Sequence, residues 1–496
     1  MRVESLVSVL AADGTVTVRG TSDREVTGLA YDSRCVAPGD LFAALPGTRD
    51  DGCRHIAEAV ERGASVIIVP ESAAAAPSLP AGLTVICVRD VRRALGLVSS
   101  AFHGNPSAGM TVIGITGTNG KTTLTYLVEA MLEAAGIRCG VIGTIGYRLG
   151  RECRPAPHTT PQAPDLQALL RWMADGGAGA VAMEVSSHAL EQHRVDGTRF
   201  AFALFTNLSQ DHLDYHGDFE TYYQAKRRLF TDFAPGAAVI NLDDPWGRRL
   251  AGECPVETIT FGTHPDSIIR IAESTLGRDG VRVALELPGG RLELTSPMVG
   301  AHNVQNIVAA AALGWIMGLP MQSVVDGIAG MRLVPGRMEK VSREGEPLVL
   351  VDYAHTPDAL EKLIAGARPL VAGKLVLVFG CGGDRDRTKR PLMGGIAARG
   401  ADLTIITSDN PRSEDPGTII EAVVEGYRSV RPDGVETLTE RSQAIARAVE
   451  LAGPDDVVLI AGKGHEPYQI LGLKVIDFDD RLEARKALDA STRRSG

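Results

Sequence analysis

Gly117-Thr118-Asn119-Gly120-Lys121-Thr122-Thr123 lies between an apolar run, Met110 to Ile115, and an amphipathic one, Leu124 to Ala134. Strand, glycine loop and helix in that order form the geometry that cradles a polyphosphate. Gly117 and Gly120 let backbone N–H groups approach phosphate oxygens, Lys121 brings a cation to the outer phosphates, and the Thr122 hydroxyl at the helix N-terminus is a ligand for Mg²⁺. ATP or GTP binding is therefore expected. A standard phosphate loop would carry glycine at Ile115, whereas the nearest glycine upstream of Gly117 is Gly114, so the general motif fits only approximately. The flanking strand and helix argue against a plain glycine turn with a solvated lysine.

The 496 residues suggest about three domains, and 44% apolar content with few aromatics suits an α/β protein. No run of about 18 apolar residues exists, and Met1-Arg2-Val3-Glu4-Ser5 lacks the basic-then-apolar layout of a signal peptide, so a cytoplasmic protein without membrane insertion is expected. Seven cysteines, scattered and free of C-x-x-C pairs, predict reduced thiols. A net charge of −10 disfavours a nucleic-acid partner and leaves acidic metabolites as the expected ligands.

Short apolar runs at Leu41 to Leu45, Val66 to Val69 and Leu83 to Val88, with a helical stretch from His55 to Arg62, predict a small N-terminal α/β domain over 1–106. Turn formers at His103-Gly104-Asn105-Pro106-Ser107 mark its hinge. From there strand, loop and helix repeat, with buried-strand candidates at Ala180 to Val185, Phe202 to Thr206 and Ala237 to Asn241, predicting a nucleotide-binding domain over 107–335 with a mainly parallel sheet. Leu333-Val334-Pro335-Gly336-Arg337 reads as the junction to a third domain, 336–496, whose strands are Leu348 to Val351, Leu375 to Phe379, Leu403 to Thr407 and Val457 to Ile460. Ligands of open parallel sheets gather beyond the carboxyl ends of strands, so the loops there are the expected site.

Those loops carry chemistry. Glu184-Val185-Ser186-Ser187-His188 and Asp211-His212-Leu213-Asp214 put carboxylates and imidazoles at two strand ends, where with Thr122 they would hold Mg²⁺; the alternative is a capping aspartate and a surface histidine. His158-Thr159-Thr160-Pro161 and Gln192-His193-Arg194 would bind an anionic substrate or be ordinary polar loops. Lys226 lies on what reads as a basic helix face, Tyr222 to Phe230. In the last third, Gly380 to Asp386, Ser408-Asp409-Asn410-Pro411-Arg412 and Ala461-Gly462-Lys463-Gly464-His465-Glu466 present arginines and acids together, the mixture an amino-acid ligand requires. Structural salt bridges are the alternative.

Taken in order, Asp32-Ser33-Arg34, the Thr116 to Thr123 loop, His158 to Pro161, Glu184 to His188, Asp211 to Asp214, Lys226, His302-Asn303-Val304-Gln305-Asn306, Pro335-Gly336-Arg337, Asp409 to Arg412 and Gly462 to Glu466 resemble the Mur ligases over nearly the whole chain. The family uses this glycine pattern, which turns the departure at Ile115 into support. The resemblance implies three domains: one holding the UDP end of the substrate, a P-loop ATPase, and a Rossmann-like domain that closes over the site. It implies an ATP-dependent amide ligase of peptidoglycan precursor synthesis, a monomer, joining meso-diaminopimelate to UDP-MurNAc-L-Ala-D-Glu through an acyl phosphate.

By the same resemblance Tyr31 and Ser33 would contact the uridine end, and Thr159, Thr160, Ser186, Gln192 and Arg194 the muramoyl dipeptide. Gly117 to Thr123 with Asn303, Asn306, Arg337 and Asp352 would face ATP. Thr122, Glu184 and His212 would hold Mg²⁺, assisted by Lys226 as a CO₂-derived carbamate; Lys121, Lys226 and His212 are the expected catalytic groups. Arg385, Asp409, Asn410, Pro411, Arg412, Gly462 and Glu466 would bind diaminopimelate, with Arg412 pairing the carboxylate that L-lysine lacks. A lysine-adding ligase, folylpolyglutamate synthase and a nucleotide-gated binding protein remain the alternatives.

Overall fold

Three apolar patterns, each of short buried runs separated by helices, become three successive β-sheets in the computed structural model, which describes residues 1–14, 16–47, 50–73, 82–331 and 334–495, without the side chains of 214 and 492–495. The first sheet orders its five strands Thr17–Arg19, Thr84–Val88, Val66–Pro70, Leu41–Ala43 and Leu29–Ala30, with only the first pair antiparallel. The second has eleven strands, parallel through its middle: Ala237–Asn241, Phe202–Phe205, Thr111–Thr116, Ala180–Glu184 and Cys139–Ile142 are consecutive neighbours. The third is built on Leu348–Asp352, Val457–Ala461, Leu375–Phe379 and Leu403–Ile406, again parallel. Leu333, read as the start of the second junction, lies outside the described residues; Gly336 and Arg337 precede the short strand Glu339–Lys340 at the edge of the third sheet.

The chain is thus mixed α/β, as the strand and helix periods imply. One segment departs from them. Residues 269–296 are not a further strand, loop and helix but three antiparallel strands, Ile269–Gly277, Gly280–Leu287 and Gly290–Ser296, at one edge of the large sheet. Their exposed alternate positions (Arg282, Arg291, Glu293) face water, which a sheet covered on one face allows.

Packing places the site. The helix Lys121–Ala134 buries Leu124, Leu127, Val128, Met131 and Leu132, the one-faced spacing of an amphipathic helix, against Ile113 and Ile115 of the strand before it. Each such side chain contributes about 1.5–3 kcal/mol on burial, so the loop between strand and helix is held at both ends. Gly114 sits inside that strand, where a Cβ would press on the Phe200 ring at 2.9 Å; this glycine serves sheet packing, not the phosphate loop. Between the second and third sheets, Asp358 of the helix Pro357–Ala367 accepts from Ser209 Oγ at 3.0 Å and Asn119 Nδ2 at 3.4 Å, and Lys362 Nζ donates to Ser209 Oγ at 2.6 Å.

Candidate active site

The phosphate loop is shaped from its flank. Asn207, just beyond Phe202–Phe205, accepts from Thr118 N through its carbonyl at 2.8 Å and from Asn119 N through Oδ1 at 3.1 Å, while Thr206 Oγ1 donates to the Asn119 carbonyl at 2.7 Å. Gly117 adopts φ +145° and closes on this flank: a Cβ there would overlap Thr206 Oγ1. Lys121 Nζ curls over the loop to the carbonyls of Gly117 and Thr118, at 2.9 and 2.8 Å. Burial pushes its ammonium down from the ordinary lysine value, opposed by Glu184 and Asp211.

A cleft of about 740 Å³ opens in front of this loop. One wall is Glu184, Ser186, Thr144 and Thr159; another is Asp211 and His212; the third domain supplies Arg337, Asp352 and Tyr353. Glu184 is buried and accepts from Thr144 N at 2.8 Å and Thr144 Oγ1 at 3.3 Å, which fixes a carboxylate at the cleft wall. Thr160 and Ser186 interlock across the same wall, Thr160 Oγ1 donating to the Glu184 carbonyl at 2.8 Å and accepting from Ser186 N at 3.1 Å. Arg194 is half-buried, not a solvated surface charge: it donates to the Thr160 carbonyl at 3.0 Å and to Gln192 Oε1 at 2.7 Å, and Gln192 Nε2 reaches Tyr215. His212 takes a left-handed φ of +53° beside Asp211, with the His188 ring edge-on at 4.8 Å; burial, then His212 and His216, lowers His188 to about 4. The Asp214 side chain lies outside the described residues.

Lys226 overturns the reading of its helix as a basic face. It is not part of an exposed basic face but buried, its Nζ donating to the Gly117 carbonyl at 2.8 Å and lying 4.6 Å from the Tyr222 ring centre. Its neighbours carry the basic face: Arg227 pairs with Glu253 and Arg228 with Asp232. Burial, reinforced by the nearby Lys121 charge, drives the Lys226 amine well below the ordinary lysine value.

Asn306 Nδ2 donates to Asn303 Oδ1 at 3.0 Å, and Asn303 Nδ2 to the Val299 carbonyl at 2.7 Å; Asn306 lines the cleft, whereas Asn303 lines a separate cavity of about 310 Å³ that it shares with Arg337. Arg337 reaches Thr122 Oγ1 at 3.4 Å and stacks its guanidinium 5.1 Å from the Tyr353 ring centre. Asp352 accepts from Met338 N at 2.7 Å and Ala354 N at 2.8 Å, so it braces the Arg337 turn. Tyr31 and Ser33 do not line the cleft. Tyr31 donates to Asp165 at 2.7 Å, bridging the first and second sheets' domains, and Ser33 donates to Glu58 at 2.7 Å.

The expected diaminopimelate residues form a cluster of their own at three strand ends of the third sheet. Arg412, with φ +52°, donates to the carbonyls of Gly383 at 2.8 Å and Asn410 at 3.4 Å. Asn410 Nδ2 meets Glu466 Oε2 at 3.1 Å; Asp409 Oδ1 caps Asn410 N at 2.6 Å. Arg385 is exposed and bonds the Asp384 carbonyl at 3.1 Å. Gly462 follows Val457–Ala461 at φ +119°, and Pro411 is buried between Asn410 and Arg412.

Three family models match in chain order: Mur ligase family, catalytic domain over 25–103; Mur ligase middle domain over 115–314; and Mur ligase, glutamate ligase domain over 336–464. A UDP-N-acetylmuramoyl-L-alanyl-D-glutamate–2,6-diaminopimelate ligase of Geobacter metallireducens is 46% identical over 509 residues, with 98% of each chain covered. The chain belongs to the Mur ligase family. Among solved structures, one of a ligase of that same description superposes with a TM-score of 0.73 at 34% identity over 99% of both chains. A MurF ligase from Thermotoga maritima in complex with ADP shares the fold, with a TM-score of 0.63 at 18% identity over 96% of this chain and 100% of its own.

For a Mur ligase the donor set at the cleft suits Mg²⁺. Among the described residues no three of His, Cys, Asp and Glu gather into a ready metal cage. Mg²⁺ held against phosphates takes only one or two protein carboxylates plus oxygen donors, which the buried Glu184 carboxylate and the Thr122 hydroxyl supply, and His212 lines the same cleft. Sequence reasoning missed Tyr353, His355, Asp358 and Lys362, although Tyr353-Ala354-His355-Thr356-Pro357 follows a strand and carries Thr and Pro as a helix start. Lys463, inside the Gly462 to Glu466 loop, likewise has no role among those expected from the sequence.

Proposed function

We propose that this Mur ligase joins meso-2,6-diaminopimelate to UDP-N-acetylmuramoyl-L-alanyl-D-glutamate at the expense of ATP, in peptidoglycan precursor synthesis. The observation that carries the reading is the pairing of two sites: a phosphate-loop cleft walled by fixed polar groups, and an Arg412, Asn410 and Glu466 cluster that offers both a cation and a carboxylate. An amino acid with a carboxylate and an ammonium at each end fits such a cluster; L-lysine lacks the carboxylate at one end.

In the proposed reaction the D-glutamyl γ-carboxylate oxygen attacks the γ-phosphorus of ATP and ADP leaves, giving an acyl phosphate. A deprotonated amine of diaminopimelate then attacks the acyl carbon; phosphate departs and the amide remains. Lys121 stabilises charge on the transferring phosphoryl group from the loop, and Arg337, seated on Tyr353, approaches it from the third domain. Thr159, Thr160, Ser186, Gln192 and Arg194 orient the muramoyl dipeptide, and Tyr31 and Ser33 face its UDP end. Mg²⁺, held by Thr122, Glu184 and His212 with the phosphates, would neutralise their charge. Lys226 serves as a carbamate: its amine, in the uncharged form that burial favours, adds CO₂, loses a proton and becomes an anion behind Gly117. The domains correspond to 1–106, 107–335 and 336–496.

The protein works in the cytoplasm as a monomer on small-molecule substrates. Seven free cysteines support a reducing compartment, and no described helix is long and apolar enough to cross a membrane. The test is phosphate release with ATP, Mg²⁺ and the UDP-linked dipeptide, comparing meso-diaminopimelate with L-lysine, and mass spectrometry of the product. Release confined to diaminopimelate supports the reading; preference for lysine overturns the specificity and silence with both overturns the ligase.

A further inference from the structure

Beneath the Asp409 to Arg412 loop lies a charge that the reaction above does not use. Lys463 is fully buried, and its Nζ donates to Asn410 Oδ1 at 3.1 Å and to Glu466 Oε2 at 3.2 Å, 5.4 Å from the Tyr468 ring centre. Asn410 Oδ1 also accepts from Ile470 N at 3.0 Å, which turns its Nδ2 toward the same Glu466 oxygen. One edge of the Glu466 carboxylate is therefore occupied by a fixed cation and a fixed amide, while the residue's side chain remains 19% exposed. A buried ammonium is tolerated only when paired, and Glu466 is the ion-pair partner of Lys463.

The surrounding charges are already committed. Arg441, buried under the same strand ends, has its own counterion in Asp480 and donates to the Ala461 carbonyl at 3.0 Å. Asp409 caps the Asn410 backbone, and Arg412 holds two loop carbonyls. Of these groups, Lys463 is the one whose ion-pair partner is a residue expected to meet the ligand.

We infer that Lys463 sets the choice of added amino acid by making Glu466 half of an ion pair instead of a free anion; this rests on the diaminopimelate ligase reading. A ligand end bearing an ammonium alone gains little from a carboxylate already compensated 3.2 Å away, and it meets the field of Lys463. An end bearing ammonium and carboxylate on one carbon is complementary to the pair: its ammonium takes the open edge of Glu466 and its carboxylate faces Arg412 and the Lys463 field. Lys463 touches no ligand in this arrangement; it is a positioning residue acting through Glu466 and Asn410.

The experiment measures kcat/KM for meso-diaminopimelate and for L-lysine in the wild type, Lys463→Met, Lys463→Gln and Lys463→Arg, together with KM for ATP. The wild type favours diaminopimelate. In Lys463→Met and Lys463→Gln the diaminopimelate-to-lysine ratio falls by about tenfold or more through the amino-acid KM, with KM for ATP unchanged, while Lys463→Arg keeps most of the ratio. Lys463→Gln retains an N–H donor toward Asn410, so it poses the charge question even where Lys463→Met does not fold. An unchanged ratio in the glutamine variant, or an equal fall in the arginine variant, overturns the inference. A wild type that turns over neither amino acid, or prefers lysine, instead overturns the reading on which it rests.

Discussion

Lys226 Nζ donates to the carbonyl oxygen of Gly117 at 2.8 Å, tying the middle of the Phe219–Thr231 helix to the first glycine of the phosphate loop. Burial lowers the Lys226 amine and so favours the uncharged, nucleophilic form that CO₂ requires, and its place behind the loop is where an added negative charge would act on bound cations. Lys226→Ala should therefore lower kcat by about 10²-fold or more, with partial recovery on adding a short carboxylic acid. Phosphate release with and without acetate or propionate reads this; turnover at the wild-type rate in the variant removes the carbamate.

Gly117→Ala tests the loop itself. The φ of +145° disfavours any side chain, and a methyl group would displace the Thr206 hydroxyl from the Asn119 carbonyl. The expected cost is about 1–3 kcal/mol in stability together with a loss of nucleotide affinity. Calorimetric titration with a non-hydrolysable ATP analogue is the check, and wild-type affinity would show that the loop tolerates the shift.

The Arg441 and Asp480 side chains are both fully buried and paired at 2.7 Å, linking the last helix to the strand ends beneath Asp409 and Gly462. Arg441→Met leaves a carboxylate without a partner and should cost about 3–5 kcal/mol, whereas Arg441→Met with Asp480→Leu should recover most of that loss. Urea unfolding of the single and double variants gives the difference.

His465 carries an acid dependence of its own. Burial, then Arg337 and Arg481, lowers it from 6.5 to about 4, so the folded chain keeps it neutral. The unfolded chain binds the proton more readily between those values; stability is therefore intact above pH 6.5 and lost as pH falls toward 4. His465→Gln should flatten this limb, narrowing the wild-type loss between pH 7.5 and pH 5 by about 2 kcal/mol. Thermal unfolding at the two pH values measures it, and parallel curves would refute the assignment.

What could be read in advance follows from range. The parallel strands are continuous apolar runs, Val66–Pro70 and Leu375–Phe379 for example, and such runs announce themselves locally. The phosphate loop is likewise local, since seven adjacent residues carry its chemistry. The antiparallel strands at 269–296 did not stand out because buried positions such as Val281, Val283 and Leu285 are interrupted by exposed ones such as Arg282, Arg291 and Glu293, so no continuous apolar run marks them. Lys226 was misread for a related reason: Arg227 and Arg228 beside it are surface charges, and only the packing of the helix against Gly117 separates the three. Lys463 shows the same limit, because its partners, Asn410 and Glu466, stand on two different loops.

Asp358 gathers Asn119 from the phosphate loop and Ser209 from the neighbouring strand end onto the first turn of a helix in another domain. Two loops of the middle domain then share one hydrogen-bond acceptor in the third. A nucleotide that displaced Asn119 would disturb this contact with the third domain, and linkage would make the effect symmetrical: ligands of the two domains would alter each other's affinity by the same factor.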